Sequence, residues 1–139
     1  MNFEYPQDLE YFARILSKGD INKFKVIYKD YFDFRSPLAK RKEFNLIRSK
    51  VFKQLCAKHG KECQLKLLKN CSLDCNFEVD HYIPLSSNVL NKELRKMKPL
   101  KGKKVLTQSF GSNHPKNLIL ACEKCNAFKK HKIMAVKSY

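Results

Sequence analysis

Long apolar runs and repeated segments are missing from this sequence of 139 residues. No apolar run approaches the ~18 residues that a membrane-spanning helix requires, so we expect no contact with a membrane. The first ten residues carry Glu4, Asp8 and Glu10 and no apolar segment, which argues against a secretion signal. We therefore expect a soluble, cytoplasmic protein.

Acidic side chains are scarce as well, because 13 Asp and Glu stand against 29 Lys and Arg, a formal net charge of +16. Repulsion within such a charge excess opposes compaction, so a polyanionic partner is expected. Nucleic acid is the partner we favour, since each neutralised phosphate releases condensed counterions. A highly soluble surface without a ligand is the alternative interpretation. Hydrophobic residues make up 43% of the chain, which is enough for a folded core.

The first 60 residues have the apolar periodicity of helices. The first apolar stripe comprises Leu9, Phe12, Ala13 and Leu16, and the second comprises Ile21, Phe24, Ile27, Tyr28 and Tyr31. The third comprises Phe44, Ile47, Val51 and Leu55. Gly19 and Asp20 indicate a break and a new start, Ser36 before Pro37 is typical of a helix start, and Gly60 of a helix end. We interpret the aromatic residues in the stripes as core rather than as a surface for base stacking.

Beyond residue 60 the pattern changes, and short β-like runs occur at 77–79 and 118–120. A short final helix is predicted after Cys122, ending near His131 or Lys132, which gives an α+β fold. A basic insertion at about 86–113 separates the two runs, with a possible short helix at 88–97. Its lysines include Lys101, Lys103 and Lys104. We favour a phosphate-contacting arm over a solvated linker, because long loops in compact domains are usually functional or disordered.

The six cysteines favour a metal site, because the cytosol keeps thiols reduced. Cys122 and Cys125 form a CxxC pair, which supplies half of the four ligands that structural zinc requires. The other pair must come from Cys63, Cys71 and Cys75, and spacing alone favours Cys71 and Cys75. A redox-active pair lacks the βαβ context of such motifs, and unrelated buried cysteines are the remaining alternative. Zinc would supply stability that a small basic domain lacks.

An acid and a histidine, Asp80 and His81, follow the first β-like run. Alone, this pair is explained as readily by an ion pair or a surface histidine. Its neighbours make it more specific, because the segments EVDHYIPL and NLILACEKCNAFKK place acid-His, Asn-Leu and CxxC-Asn-x-x-Lys in a fixed order.

In that order the motifs resemble the HNH endonucleases, over roughly residues 61–132. The resemblance implies a helical N-terminal region at 1–60 and a zinc-stabilised ββα-metal (HNH) domain at 61–139. The segment CQLKLLKNC resembles a form of the family that assigns Cys63 and Cys71 as zinc ligands beside Cys122 and Cys125. Cys75 is then a bystander or a substitute ligand, which conflicts with the argument from spacing.

The same resemblance implies a role for each motif residue. His81 would be the general base, and Asp80 and Asn126 would bind a catalytic Mg²⁺ or Mn²⁺ through hard oxygen ligands. Asn117 would hold His81 by hydrogen bonding. Asn126 stands where the family often has histidine, so this chain would be an H-N-N variant. The remaining lysines that we expect at phosphates are Lys129 and Lys130.

The function implied is hydrolysis of phosphodiester bonds in DNA, and double-stranded DNA is the expected partner. A non-catalytic, zinc-stabilised nucleic-acid-binding module is the first alternative, but it would have no use for a carboxylate such as Asp80 beside the phosphates. A toxin-like nuclease acting on RNA or on a competitor's DNA is the second, and no export signal supports it. The motifs leave sequence specificity and oligomeric state open.

Overall fold

The computed structural model describes residues 1–68, 71, 76–85, 91, 94 and 109–129. The helices described are α1 (Pro6–Ser17), α2 (Ile21–Ile27), α3 (Pro37–His59) and α4 (Glu123–Lys129), with short 3-10 turns at Lys29–Tyr31 and Pro115–Asn117. The strands are β1 (Phe77–His81) and β2 (Leu118–Cys122). This mixture of helices and an antiparallel sheet confirms the predicted α+β class. None of the helices in the described ranges is long and apolar enough to cross a membrane.

Local capping residues set the helix ends, as the sequence predicts. The Asp20 side chain accepts a hydrogen bond from the Lys23 N–H at 3.0 Å and starts α2. Ser36 accepts one from the Leu38 N–H at 3.2 Å, with Pro37 at the first helical position of α3. The second apolar stripe is only partly correct, because Ile27 is 45% exposed.

The two strands form an antiparallel hairpin in which Phe77 pairs with Cys122 and His81 with Leu118. Successive side chains of a strand point to opposite faces of the sheet. Asp80 and Glu78 accordingly face α4, whereas His81 faces α3, where its ring contacts Phe44. Each strand extends two residues beyond its predicted run.

Aromatic residues of the first 60 positions pack against the segments that adjoin the strands. The Phe12 ring lies 5.1 Å from that of Phe32 and 5.0 Å from that of Phe110. The buried members of this cluster are Phe12, Ala13, Phe24, Phe32, Tyr82, Ile83, Leu94 and Phe110. The prediction that the N-terminal aromatic residues are core is thus confirmed for Phe12 and Phe24.

Lys40, in α3, links the helices to the loop before β2. It is fully buried, and its Nζ donates to the carbonyl oxygens of Asp33 and, at 2.7 Å, of Gly111. Burial lowers the pKa of Lys40 to about 8, so the side chain is a charged donor at pH 7. At Gly111 a Cβ atom would lie 2.6 Å from the Pro84 carbonyl oxygen, so only glycine allows this close approach.

Several predictions fall wholly or mostly outside the described residues. They concern the short helix at 88–97, most of the basic insertion at 86–113, and the end of the last helix near residue 131.

Candidate active site and metal centre

Four cysteines converge at one end of the hairpin, where β1 begins and β2 ends. Their sulfur atoms all lie within 4.8 Å of one another, and all four side chains are buried: Cys63, Cys71, Cys122 and Cys125. Four sulfurs bound at ~2.3 Å around one zinc ion would stand about 3.8 Å apart. The cluster therefore needs little contraction to hold a metal such as zinc.

Backbone N–H groups surround these sulfurs, as they do in metal-binding turns. The N–H of Cys125 donates to the Cys122 Sγ at 3.3 Å. Burial acts to raise the pKa of the Cys63 thiol, but N–H groups of Cys122, Lys66 and Leu65 outweigh it and leave that pKa lowered. Lys66 has the left-handed φ of 48°, which turns the chain around the Cys63 sulfur. The environment of Cys63 thus stabilises a thiolate, the form that binds metal, whereas burial raises the pKa of the Cys122 and Cys125 thiols.

The cluster contains Cys63 and Cys71, the pair that the family resemblance assigns, whereas spacing alone favoured Cys71 and Cys75. Cys63 joins Cys71 because Gln64 pairs with the outer edge of β2: its N–H donates to the Leu120 carbonyl at 2.8 Å, and its Oε1 accepts from the Leu120 N–H at 2.6 Å. A local count of residues does not reveal this long-range pairing. Cys75 lies outside the described residues.

Asp80 lies near the other end of the hairpin, on the face covered by α4. Its Oδ2 is buried and makes no hydrogen bond among the described residues. The Lys129 Nζ is 3.1 Å from this oxygen, close enough for an ion pair but not aligned for a hydrogen bond. An anionic oxygen with spare lone pairs is the donor that a hard divalent cation requires.

Lys129 was expected to contact a phosphate, but its side chain is buried inside the protein. It is 1% exposed, and its Nζ also donates to the His81 carbonyl oxygen at 3.1 Å. One turn of α4 carries it inward to Asp80, because Cys125 is fixed four residues earlier in the cysteine cluster. As folded, Lys129 neutralises Asp80 and does not present a surface charge to a phosphate.

Asn126 lies on the same face, one turn before Lys129 along α4. Its Nδ2 donates to a carboxylate oxygen of Glu78, which precedes Asp80 by two residues in β1. Glu78 therefore binds the amide nitrogen of Asn126, so that the amide oxygen remains an acceptor. The sequence argument missed Glu78, although alternation in β1 places it on the face of Asp80. Asp80, Asn126 and Glu78 each carry an oxygen of the kind that a hard divalent cation binds.

His81 lies on the opposite face, beneath α3. Its ring packs against that of Phe44 with centroids 4.6 Å apart, and the residue is 9% exposed. Burial lowers the pKa of His81, and the Asn113 hydrogen bond and the Asp80 charge oppose that shift only in part. The imidazole is consequently neutral near pH 7, the form that a general base requires.

The side chain of Asn113 fixes the orientation of the His81 ring, with its Oδ1 2.8 Å from His81 Nε2. The Nδ2 of Asn113 donates to the Lys40 carbonyl oxygen at 2.8 Å, which identifies the atom facing His81 as an acceptor. The neutral imidazole therefore carries its proton on Nε2 and leaves Nδ1 as the acceptor. The sequence argument missed Asn113, since no local pattern connects it to His81.

Asn117 was expected to hold His81 by hydrogen bonding, and its side-chain hydrogen bonds lead to the backbone rather than to the His81 ring. Its fully buried side chain instead accepts from the Ile83 N–H at 2.7 Å and donates to the Ile83 and Ser112 carbonyl oxygens at 3.1 and 2.8 Å. The register explains the difference, because Leu118 pairs with His81 and Asn117 lies beyond the paired residues. Asn117 thus fixes the backbone after His81.

The other lysines predicted to contact phosphates, namely Lys101, Lys103, Lys104 and Lys130, lie outside the described residues. No protein-family model matches the chain, and no curated protein or solved structure is significantly similar to it.

Proposed function

We propose that this protein is a metal-dependent endonuclease that hydrolyses phosphodiester bonds in DNA. The observation that carries the proposal is the pair at the end of β1: an acid whose buried oxygen lacks a hydrogen bond within the described part of the chain, next to a neutral histidine with an oriented ring. The order of motifs that resembles the HNH endonucleases supports the same function.

In this proposal, His81 takes the proton from the attacking water. Asn113 holds the ring so that Nδ1 is the accepting atom, and the packing of Phe44 restricts its rotation. General-base catalysis of this kind contributes roughly 10²–10⁴-fold to a rate.

Asp80 and Asn126 would hold a Mg²⁺ or Mn²⁺ ion, which supplies charge stabilisation to the phosphate and the leaving oxygen. Glu78 orients the Asn126 amide by accepting from its nitrogen. Lys129 would have to release part of its contact with Asp80, or share that carboxylate with the cation.

The four-cysteine cluster is proposed to bind structural zinc. It lies where β2 leads into α4, and it therefore fixes the start of the helix that carries Asn126. In this role zinc would position the site without taking part in the reaction.

A non-catalytic nucleic-acid-binding module is the second candidate. The ion pair between Lys129 and Asp80 favours it, because a lysine already neutralises the carboxylate. The 9% exposure of His81 favours it too, because a general base must reach water.

Incubation of the zinc-loaded protein with supercoiled plasmid in Mg²⁺ or Mn²⁺, beside the variant Asp80→Asn, separates the two candidates. The nuclease predicts metal-dependent nicked or linear plasmid that the variant fails to produce. Retarded but intact plasmid under every condition would favour the binding module.

A further inference from the structure

Helix α3 and strand β1 are separated by a groove of about 400 Å³. Arg48, Phe52 and Lys53 line it from α3, and Phe77, Glu78 and Val79 line it from β1. Its volume is that of a pocket for one small ligand or one unit of a polymer.

The groove adjoins His81. The Arg48 guanidinium lies 5.0 Å from the centroid of the Phe44 ring, and that ring packs on the imidazole of His81. The groove is therefore separated from the histidine by the width of one aromatic ring.

The charge of α3 is almost all of one sign. Its single acid, Glu43, is bound by Arg35, with a contact of 2.5 Å. The exposed basic residues of α3 are Arg41, Lys42, Arg48, Lys50, Lys53 and Lys58. Among the described residues, Arg48 and Lys53 have no acidic partner, so both charges remain available in the groove.

We propose that the groove between α3 and β1 binds the sugar-phosphate backbone of a nucleic-acid strand, with Arg48 and Lys53 contacting phosphates. Two unpaired cations beside a narrow groove complement a chain of phosphates, and the aromatic rings of Phe52 and Phe77 offer apolar contact to a sugar or base. This deepens the proposed function, on which it rests for the identity of its ligand, because the bound strand would lead to His81. The proposal also gives α3 a role in binding substrate.

Glu78 is the acidic residue of the groove, but its carboxylate accepts a hydrogen bond from the Asn126 amide on the α4 side of the strand. The groove is thus most cationic along α3, where Arg48 and Lys53 lie.

The test is equilibrium binding of a labelled DNA duplex by fluorescence anisotropy, with zinc-loaded protein and no added divalent cation. The double variant Arg48→Gln/Lys53→Gln is compared with Lys50→Gln/Lys58→Gln, which removes the same charge from exposed positions of α3 outside the groove. Circular dichroism checks that both variants are folded.

The groove variant should bind about tenfold more weakly at 0.1 M salt. Its slope of log affinity against log salt should shrink by about 1.8, since each phosphate contact contributes about 0.9. The control should lose much less affinity.

Equal losses in the two variants, or none in the groove variant, would overturn the proposal. So would polyglutamate binding as tightly as DNA with the same sensitivity to the groove substitutions. Binding is measured without cleavage, so a chain that binds in the groove but cuts nothing would retain this inference and contradict the nuclease.

Discussion

His81 owes its orientation to residues remote from it in the sequence. Asn113 accepts from its Nε2, and Phe44 packs on its ring. The substitution Asn113→Leu should therefore let the neutral imidazole populate both tautomers. Nitrogen-15 NMR of the wild-type ring should give a protonated Nε2 and an unprotonated Nδ1, and the variant should show averaged shifts.

Asn45→Leu is the matched control, because Asn45 is an exposed amide of α3 and does not contact His81. It should leave the imidazole shifts unchanged. A wild-type ring protonated on Nδ1 would show that the hydrogen bond to Asn113 does not set the tautomer.

Lys129 provides the positive charge beside Asp80 in the structure. The substitution Lys129→Met leaves a largely buried carboxylate unpaired, which should lower the free energy of unfolding by roughly 3 kcal/mol. If Asp80 binds divalent cations, added Mn²⁺ should then raise the melting temperature of the variant more than that of the wild type.

Lys124→Met is the control on the same helix, because Lys124 is exposed. It should melt within a degree or two of the wild type, with or without Mn²⁺. If Mn²⁺ does not change the melting temperature of the Lys129 variant, that result would argue against a cation site at Asp80.

The sequence motifs could identify Asp80 and His81 as candidates, because the two residues are adjacent and end a strand. They could not identify Asn113, which lies 32 residues after His81 and reaches its ring from the loop before β2. The contacts of Asn117 with the backbone of Ile83 and Ser112 likewise depend on the register of β1 and β2, which the motifs do not give. Motif order conveys which residues are near a site, whereas hydrogen-bond partners depend on the register and on long-range packing.

Among the secondary-structure elements, α3 covers the face of His81 with the ring of Phe44. Its Lys40 side chain binds the carbonyl oxygens of Asp33 and Gly111, and its Lys40 carbonyl accepts from Asn113. Lys40→Met should leave buried carbonyl groups without donors and destabilise the fold by roughly 3 kcal/mol. Urea unfolding measures this difference.

Lys42→Met offers the comparison, because Lys42 is exposed on the same helix. Its effect should stay within about 0.5 kcal/mol. Equal stabilities for the Lys40 and Lys42 variants would mean that the hydrogen bonds of the Lys40 side chain contribute nothing to the free energy of unfolding.

Helix ends were predictable because caps are local: Asp20, Ser36 and Pro37 each act within one turn. The strand positions followed from short β-branched and apolar runs. The packing of α3 across the sheet was not predictable, because the helix has apolar, basic and aromatic residues on several sides. Its apolar stripe indicates a buried face but not the element that packs against that face.

At the level of the whole molecule, the strand pair β1–β2 has a different group of side chains at each of its two ends. The cysteine cluster lies at the end where Phe77 pairs with Cys122, and the candidate active site lies where His81 pairs with Leu118. The helices bury one aromatic core with the segments flanking the strands. Because the same two strands connect the cysteine cluster to the candidate active site, a metal bound by the cluster would stabilise the site without contacting it.

If the cluster binds zinc, loss of the metal should unfold the half of the chain that carries α4. Cys63→Ser should lose most of its zinc, as measured by elemental analysis of the purified protein. Cys56→Ser should retain it, because Cys56 is not a member of the cluster.

Cys75→Ser decides between the two assignments made from the sequence. Retention of full zinc content supports the set with Cys63. Zinc loss in Cys75→Ser but not in Cys63→Ser would contradict the cluster.

The central claim, that His81 is the general base of a nuclease, is tested most directly by chemical rescue. The substitution His81→Ala should reduce single-turnover cleavage of plasmid in Mn²⁺ by roughly 10²–10⁴-fold, with DNA binding retained. Added imidazole should restore part of the rate, because it can occupy the space beside Phe44 and Asn113. A variant that cleaves like the wild type, or a loss of cleavage that no concentration of imidazole relieves while folding and binding are intact, would contradict the account.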